Sequence, residues 1–201
     1  IFTSDHGYNM GHNGIWHKGN GHWVLNQPTE PVANIPANQR PNMYDNVIKV
    51  PLVVRWPGAI PANSQKQSSV SNLDWFPTLV ELAQGQIPPD TIVRGESFID
   101  ALLAPKKLIK TDYYGAYSTR HQSVSDMRMY SDGEFKLVKD YGNKGRDEFY
   151  DLTIDPAEQT NLIDTAVPYY QKTINRFDDV IFEKMLAIDD PQLAQFFGAK
   201  K

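Results

Sequence analysis

Hydrophobic positions recur with a helical period in the last quarter of the chain. From Pro168 onward they are spaced three or four residues apart, at Tyr170, Ile174, Phe177, Ile181, Met185 and Ile188. This spacing places apolar side chains on one helix face, and proline is favoured in a first helical turn. The pattern predicts an amphipathic helix over residues 168–188.

A second helix is predicted at SNLDWFPTLVELAQG, residues 71–85. Pro77 fits the first turn, Ser71 or Asp74 can cap it, and Gly85 ends it. One face of this helix would carry Leu73, Phe76, Val80 and Ala83.

Strand patterns occur on both sides of that helix. Ile1–Ser4 is typical of a strand exit, and the unbroken apolar run Val50–Trp56 predicts a strand that is buried on both faces. In MRMYSDGEFKLVKDY, two alternating runs flank Asp132-Gly133 and predict a β-hairpin. A third strand is predicted at residues 148–152.

These elements predict an α/β protein with two parts. Residues 1–110 are expected to form the tail of a larger α/β domain, and residues 111–201 a small antiparallel sheet with a closing helix. The boundary is expected between Pro105 and Asp112.

Residues 19–44 are polar and contain several prolines, without a regular hydrophobic period. This pattern predicts a long loop of the kind that is usually functional or disordered.

Composition excludes several classes of function. The 201 residues carry a net charge of −4 and contain no cysteine, so nothing indicates a nucleic-acid partner, a thiolate metal site or a thiol nucleophile. No apolar run approaches the length of a transmembrane helix, and no signal peptide stands at the first residue.

The first eighteen residues contain the candidate chemistry. Asp5 and His6 follow a strand end, where both side chains can bind one divalent cation; the alternative is a turn cap beside a surface histidine. Lys18 is either a solvated lysine or, beside a metal, a partner for a tetrahedral oxyanion.

Histidines recur every five residues after Met10. On a helix this spacing would scatter His12, His17 and His22 around the axis, so a zinc cluster is not expected. Trp16 and Trp23 are packing or sugar-stacking groups.

Six motifs in order resemble the type I sulfatases of the alkaline-phosphatase superfamily. They are TSDHG, WHKG, VPLVVRWPG, LDWFPTLVELA, RMYSDGEFKLV and EFYDLTIDPAEQTNL. The resemblance covers nearly the whole chain and implies the C-terminal part of an alkaline-phosphatase-like α/β sandwich domain, followed by the small subdomain.

The resemblance implies a metal-dependent sulfuric ester hydrolase. Asp5 and His6 match the family's metal-binding pair, with calcium expected and manganese or magnesium as alternatives. Lys18 matches the lysine that contacts the sulfate and the bridging oxygen, and His12 is carried over as a basic group displaced by one position. The family's formylglycine nucleophile arises in a C/S-x-P-S-R motif that these residues lack, so we expect it on a missing N-terminal part of the same protein.

The expected substrate is a sulfated carbohydrate or an aryl sulfate, either a small molecule or a polysaccharide. Aromatic and basic groups for such a pocket would come from the loop and from the second part, at His22, Trp23, Arg40, Arg120 and His121. The alternative is a surface loop without substrate contact.

Two other functions remain open on the sequence. A phosphonate or phosphate ester hydrolase of the same superfamily would use the same metal pair and lysine. A non-catalytic fragment or binding module would explain the absent nucleophile. The resemblance to this family also implies a periplasmic or secreted location.

Overall fold

The computed structural model describes residues 1–25, 32–66, 68–104 and 112–198. They form two compact units, the first made of Ile1–Asp5 with Pro51–Tyr113 and the second of His6–Val50 with Tyr114–Lys201. The regular elements in chain order are β1 (Asn9–Met10), β2 (Trp16–His17), α1 (Asp45–Ile48), α2 (Trp75–Leu82), α3 (Ile99–Leu103), β3 (Tyr113–Arg120), β4 (Val124–Ser131), β5 (Phe135–Asp140), β6 (Glu148–Asp151), α4 (Pro168–Ala187) and α5 (Gln192–Phe197).

A four-stranded sheet in the order β3-β4-β5-β6 is the centre of the second unit. The predicted hairpin is confirmed, because β4 pairs antiparallel with β5 across the turn at Asp132 and Gly133. The predicted third strand is also confirmed as β6, which pairs antiparallel with β5. Strand β3 was not predicted.

One face of the sheet packs against α4. The predicted helix is confirmed within one residue at its end. The helix contributes Phe177, Ile181 and Met185 to a buried core. The sheet contributes Leu137 and Phe149 to the same core. Burying such side chains supplies most of the stability of a small sheet.

The opposite face of the sheet is covered by the early part of the chain. Lys136 and Tyr150 stand opposite each other in the register of β5 and β6. Tyr150 packs with Tyr44 and Ile15, and the Lys136 ammonium binds the carboxylate of Asp45 at 2.8 Å. Residues 6–50 therefore belong to the same unit as the sheet.

Helix α2 is the best-defined element of the first unit. Ser71 and Asp74 form a capping box before it: the Ser71 hydroxyl accepts from the Leu73 amide at 3.2 Å, and the Asp74 carboxylate accepts from the Ser71 amide at 2.8 Å. Thr78 accepts from the amide of Phe98 at 3.1 Å, so the buried side of the helix is anchored to the following chain.

Two details of the first unit differ from the sequence prediction. Residues 50–56 were predicted as a strand buried on both faces, and this is wrong for the described chain: Val53 forms only an isolated bridge with Phe2 and is 59% exposed. A two-sided buried strand needs neighbours on both edges and both faces, and among the described residues only Phe2 pairs with it. Leu73, which precedes α2, and Phe76 in its first turn are likewise exposed.

The two compact units do not follow chain order, since residues 6–50 group with the sheet. The predicted boundary between residues 110 and 111 lies outside the described residues, and the division into 1–110 and 111–201 stays a prediction. No helix in the described part of the chain is long and apolar enough to cross a membrane.

Candidate functional site

A short β-ribbon brings Lys18 beside His6. Asn9 pairs with His17 and Met10 with Trp16, so the chain reverses over residues 12–14 and returns antiparallel. The Lys18 Nζ atom lies 3.3 Å from Nε2 of His6, twelve residues earlier in the sequence. The ribbon therefore places an exposed ammonium group against an imidazole.

The His6 ring is held in a tautomer that suits metal binding. Its Nδ1 atom lies 2.8 Å from the Gly7 carbonyl oxygen, so Nδ1–H donates and Nε2 keeps its lone pair. Metal-ligating histidines usually fix their second nitrogen in this way. The Gly7 amide in turn donates to the Val47 carbonyl at 2.9 Å, which fixes the turn against α1.

Asp5 supplies the oxygen donor of the predicted pair. Its carboxylate is exposed and accepts from the Ser4 hydroxyl at 3.3 Å. The Asn72 side chain donates to the Asp5 carbonyl at 3.1 Å and so fixes the local backbone. A carboxylate and an imidazole are suitable types of metal ligand, and the described residues contain no cluster of three or more groups that could hold a metal by themselves. The shared cation site of Asp5 and His6 stays a prediction.

His12 lies at the turn end of the ribbon. Its Nδ1 atom accepts from the Met10 amide at 3.2 Å. Lys18 follows the open end, so the ribbon does not bring the two side chains together. The catalytic role of His12 stays a prediction that this geometry does not support.

The loop after Lys18 is tied down by backbone hydrogen bonds. The Gly21 amide donates to the Lys18 carbonyl at 2.8 Å, and the Arg40 amide donates to the Gly21 carbonyl at 2.8 Å. Gly21 has φ +54°, and a Cβ there would come within 1.8 Å of the Arg40 carbonyl oxygen. Glycine is required at this position because no other residue fits so close to the returning chain. Residues 26–31 of the predicted loop lie outside the described residues.

The turn at Gly21 builds a column of three imidazole rings. His17 and His22 stack with ring centroids 5.0 Å apart and an interplanar angle of 11°. His121 also stacks with His22, at 5.6 Å and 23°. The exposed Trp23 meets the His17 ring edge-on at 5.1 Å. Three of the predicted substrate-binding residues are thus brought together.

The column disfavours positive charge at its centre. Burial and, after it, the neighbouring rings of His17 and His121 lower the pKa of His22 below that of an ordinary histidine. His22 is therefore mainly neutral near pH 7.

Arg40 is held by the protein itself. Its guanidinium donates to the Glu148 carboxylate at 3.3 Å and lies 5.3 Å from the centre of the Tyr44 ring. The Tyr150 hydroxyl donates to the other oxygen of Glu148 at 3.2 Å. We therefore assign Arg40 to the packing of residues 6–50 on the sheet, and its predicted substrate contact has no support in this geometry.

Replacing Arg40 with methionine should lower the free energy of unfolding by about 2 kcal/mol, because the buried Glu148 carboxylate loses its cation. Urea denaturation measures this loss. Arg176→Met is the matched control, since Arg176 pairs with Asp132 at an exposed site and should cost less than about 1 kcal/mol. An increase in KM without loss of stability would instead support the predicted contact of Arg40 with the substrate.

Arg120 also has an internal partner. It donates to both carboxylate oxygens of the buried Asp126 at 2.8 Å and to the Ser125 carbonyl at 3.3 Å. This ion pair lies where β3 turns into β4, next to His121 in the sequence. The predicted contact of Arg120 with substrate stays a prediction.

The structure adds His17 and Asn20 to the predicted residues. The five-residue spacing of the histidines was considered only for a helix, where it separates the rings. In the structure, a strand followed by a glycine turn folds His17 onto His22. The glycines at 19 and 21 were the signal in the sequence that would have indicated a turn.

The family model and the most similar curated relatives indicate one family. The family model described as N-sulphoglucosamine sulphohydrolase, C-terminal, matches residues 38–185. The uncharacterized sulfatase YidJ of Escherichia coli K12 is 28% identical over 194 residues, covering 95% of this chain. An N-acetylglucosamine-6-O-sulfatase of Bacteroides thetaiotaomicron is 27% identical over 171 residues, covering 83%.

A solved structure shows the same fold. The structure of BT4656 in complex with its substrate D-glucosamine-2-N,6-O-disulfate superposes with a TM-score of 0.73 at 25% identity and covers 94% of this chain. This chain spans 33% and 26% of the lengths of the two relatives and 34% of that structure.

Proposed function

The chain belongs to the sulfatase family, and on that basis we propose that the whole protein is a metal-dependent sulfuric ester hydrolase acting on a sulfated carbohydrate. The observation that carries the proposal is the contact of Lys18 with His6. It places a cation for an oxyanion beside the imidazole nitrogen that would bind the metal, in a chain whose relatives are sulfatases.

Lys18 is proposed to stabilise negative charge on the leaving oxygen. Its ammonium is exposed, and the ribbon fixes where the side chain starts. A preorganised cation favours the transition state because charge develops on the bridging oxygen only as the S–O bond breaks. Lys18 therefore both orients the sulfate ester and lowers the barrier to its cleavage.

Asp5 and His6 are proposed to bind one divalent cation. Calcium is the first choice, although an imidazole ligand suits manganese better, and magnesium is a further alternative. Such a cation supplies Lewis-acid catalysis and a stronger nucleophile when bound. The C/S-x-P-S-R motif is absent from the 201 residues, so the proposal assigns the formylglycine nucleophile to another part of the whole protein.

The sugar is proposed to lie against His22, His121 and Trp23. Their rings give aromatic faces and hydrogen-bonding nitrogens on the same unit as Lys18. The 6-O-sulfatase relative and the bound glucosamine disulfate of the solved structure support a sulfated amino sugar. Aryl sulfates remain an alternative that the same surface would accept.

Side-by-side assays of the whole protein test this proposal. We expect release of sulfate from N-acetylglucosamine-6-sulfate, weaker release from p-nitrophenyl sulfate, and little hydrolysis of a phosphonate monoester. Peptide-mapping mass spectrometry should find a peptide in which the nucleophile carries the aldehyde mass shift. Preferential phosphonate hydrolysis would support the other superfamily activity, and no hydrolysis with no such peptide would support a non-catalytic module.

The same assay tests the cation. Dialysis against a chelator should abolish activity, and calcium, manganese and magnesium are then added back separately. Full recovery with calcium alone supports the first choice, whereas activity that survives complete metal removal would overturn the metal proposal.

A periplasmic or secreted location is proposed from the family resemblance alone, and cell fractionation tests it.

A further inference from the structure

Asn20 joins the two stacked histidines through its carboxamide. The amide oxygen lies at hydrogen-bond distance from Nδ1 of His17, and the amide nitrogen lies 3.2 Å from Nε2 of His22. A carboxamide can accept only at oxygen and donate only at nitrogen. Each contact therefore fixes the protonation of one ring nitrogen.

The two contacts select the same tautomer in both rings. His17 must carry its proton on Nδ1 in order to donate to the amide oxygen. His22 must leave Nε2 unprotonated in order to accept from the amide nitrogen, so its proton also lies on Nδ1. In the neutral tautomers, His17 is left with an acceptor at Nε2 and His22 with a donor at Nδ1, and neither atom has another hydrogen-bond partner among the described residues.

We propose that Asn20 is a positioning residue that fixes the Nδ1-protonated tautomer of His17 and His22, so that the column presents one acceptor and one donor to hydroxyl groups of the substrate sugar. The inference rests on the proposed function and specifies the chemistry of its sugar-binding surface. Neutral imidazoles match hydroxyl groups, which both donate and accept. Asn20 itself contacts the rings and acts on the sugar only through them.

A metal site fits this column less well. Stacked rings keep their nitrogen lone pairs in separate planes, whereas a metal needs lone pairs that converge on one point. Asn20 also engages one nitrogen of each ring.

An anion subsite is also disfavoured. Anion binding by charge at the centre of the column would need an imidazolium at His22, yet the amide N–H faces the His22 nitrogen that would take the proton. The charged and titratable neighbours are few: Lys18 follows His17, Tyr8 packs on the His17 ring at 5.8 Å, and Arg120 beside His121 is paired with Asp126.

Ring ¹⁵N spectroscopy of the whole protein tests the inference independently of catalysis. Near pH 7.5 we expect both His17 and His22 to be protonated on Nδ1, which is the minor form of histidine in water. Asn20→Leu should shift both rings toward the Nε2-protonated form. Asn20→Asp should raise the pKa of His22, because a carboxylate can only accept and so favours a proton on Nε2.

Kinetics and sugar titration supply the functional readouts. For N-acetylglucosamine-6-sulfate, Asn20→Leu should raise KM about fivefold with little change in kcat, the size expected for one lost hydrogen bond. N-acetylglucosamine added to the parent protein should perturb both ring signals, and this response should be lost in the variant. Asn38→Leu is the matched control, since Asn38 is an exposed asparagine of the same unit and should change neither readout.

The outcomes separate this inference from the proposed function. Sulfate release with an unchanged KM and unchanged tautomers in Asn20→Leu would overturn the inference and leave the function standing. If the protein releases sulfate from none of the substrates, the proposed function is wrong. The response of the ring signals to N-acetylglucosamine alone then decides whether the column binds sugar. Nε2-protonated rings in the parent protein would overturn the inference directly.

Discussion

Replacing Lys18 with alanine in the whole protein should lower kcat for sulfate release by about 10²- to 10³-fold, with a smaller change in KM. This loss corresponds to roughly 3–4 kcal/mol of transition-state stabilisation, which is typical for the removal of one preorganised donor. The lysine is exposed, and its ammonium group lies 3.3 Å from Nε2 of His6. Its removal should therefore leave the fold and the free energy of unfolding almost unchanged.

Two further variants make the result specific to Lys18. Lys144→Ala removes an exposed lysine of the same unit and should leave kcat unchanged. Lys18→Arg keeps the charge but changes its shape and reach, so we expect partial activity. An unchanged kcat in Lys18→Ala would show that the leaving oxygen is stabilised by another group, and a large loss of stability would show that the lysine is structural.

The sequence predicted the elements whose signals are local. Helix α4 was found from its apolar spacing and its proline, and the β4–β5 hairpin from alternation around Asp132-Gly133. The closeness of Lys18 and His6 followed only from the family resemblance. The structure supplies the physical reason for it, which is the ribbon of β1 and β2.

Interactions between distant parts of the chain could not be predicted from local patterns. Nothing in residues 6–50 indicates that they cover a sheet formed a hundred residues later, because the contacts depend on single pairs such as Arg40 with Glu148. Arg40 therefore looked like a substrate-binding arginine. The strand predicted at residues 50–56 failed for the related reason that burial depends on neighbours that an apolar run does not specify.

Charged residues of the second unit divide into two groups by burial. Lys18 keeps its ammonium in solvent, where it can meet a ligand, whereas Lys136 is 0% exposed and lies between Asp45 and Glu158. Burying an ammonium is costly unless its partners are close and well hydrogen-bonded. Buried ion pairs such as those of Lys136 therefore contribute to the free energy of unfolding, and we expect a large loss when one is broken.

Lys136→Met should lower the free energy of unfolding by about 3–5 kcal/mol at neutral pH, because it leaves two buried carboxylates without their cation. The Lys136 ammonium lies 2.8 Å from Asp45 and 2.5 Å from Glu158. Burial already raises the pKa of Glu158, whereas Lys136 counteracts burial and holds the pKa of Asp45 below its usual value. Without the lysine, both carboxyl groups should bind protons more readily in the folded state than in the unfolded state. The loss should therefore shrink as the pH falls from 7 toward 5, and urea denaturation across this range measures it.

The same carboxylate provides a matched control for Lys136. Lys49 pairs with Asp45 four residues along the chain, but its side chain is 58% exposed, so Lys49→Met should cost less than about 1 kcal/mol. Adding Glu158→Gln to Lys136→Met should recover part of the loss, because it removes one of the two uncompensated charges, while a glutamine oxygen can still accept from the Asp45 amide. Equal costs for the two lysine variants, or a loss that grows as the pH falls, would contradict the assignment of Lys136 as the buried cation that holds residues 6–50 on the sheet.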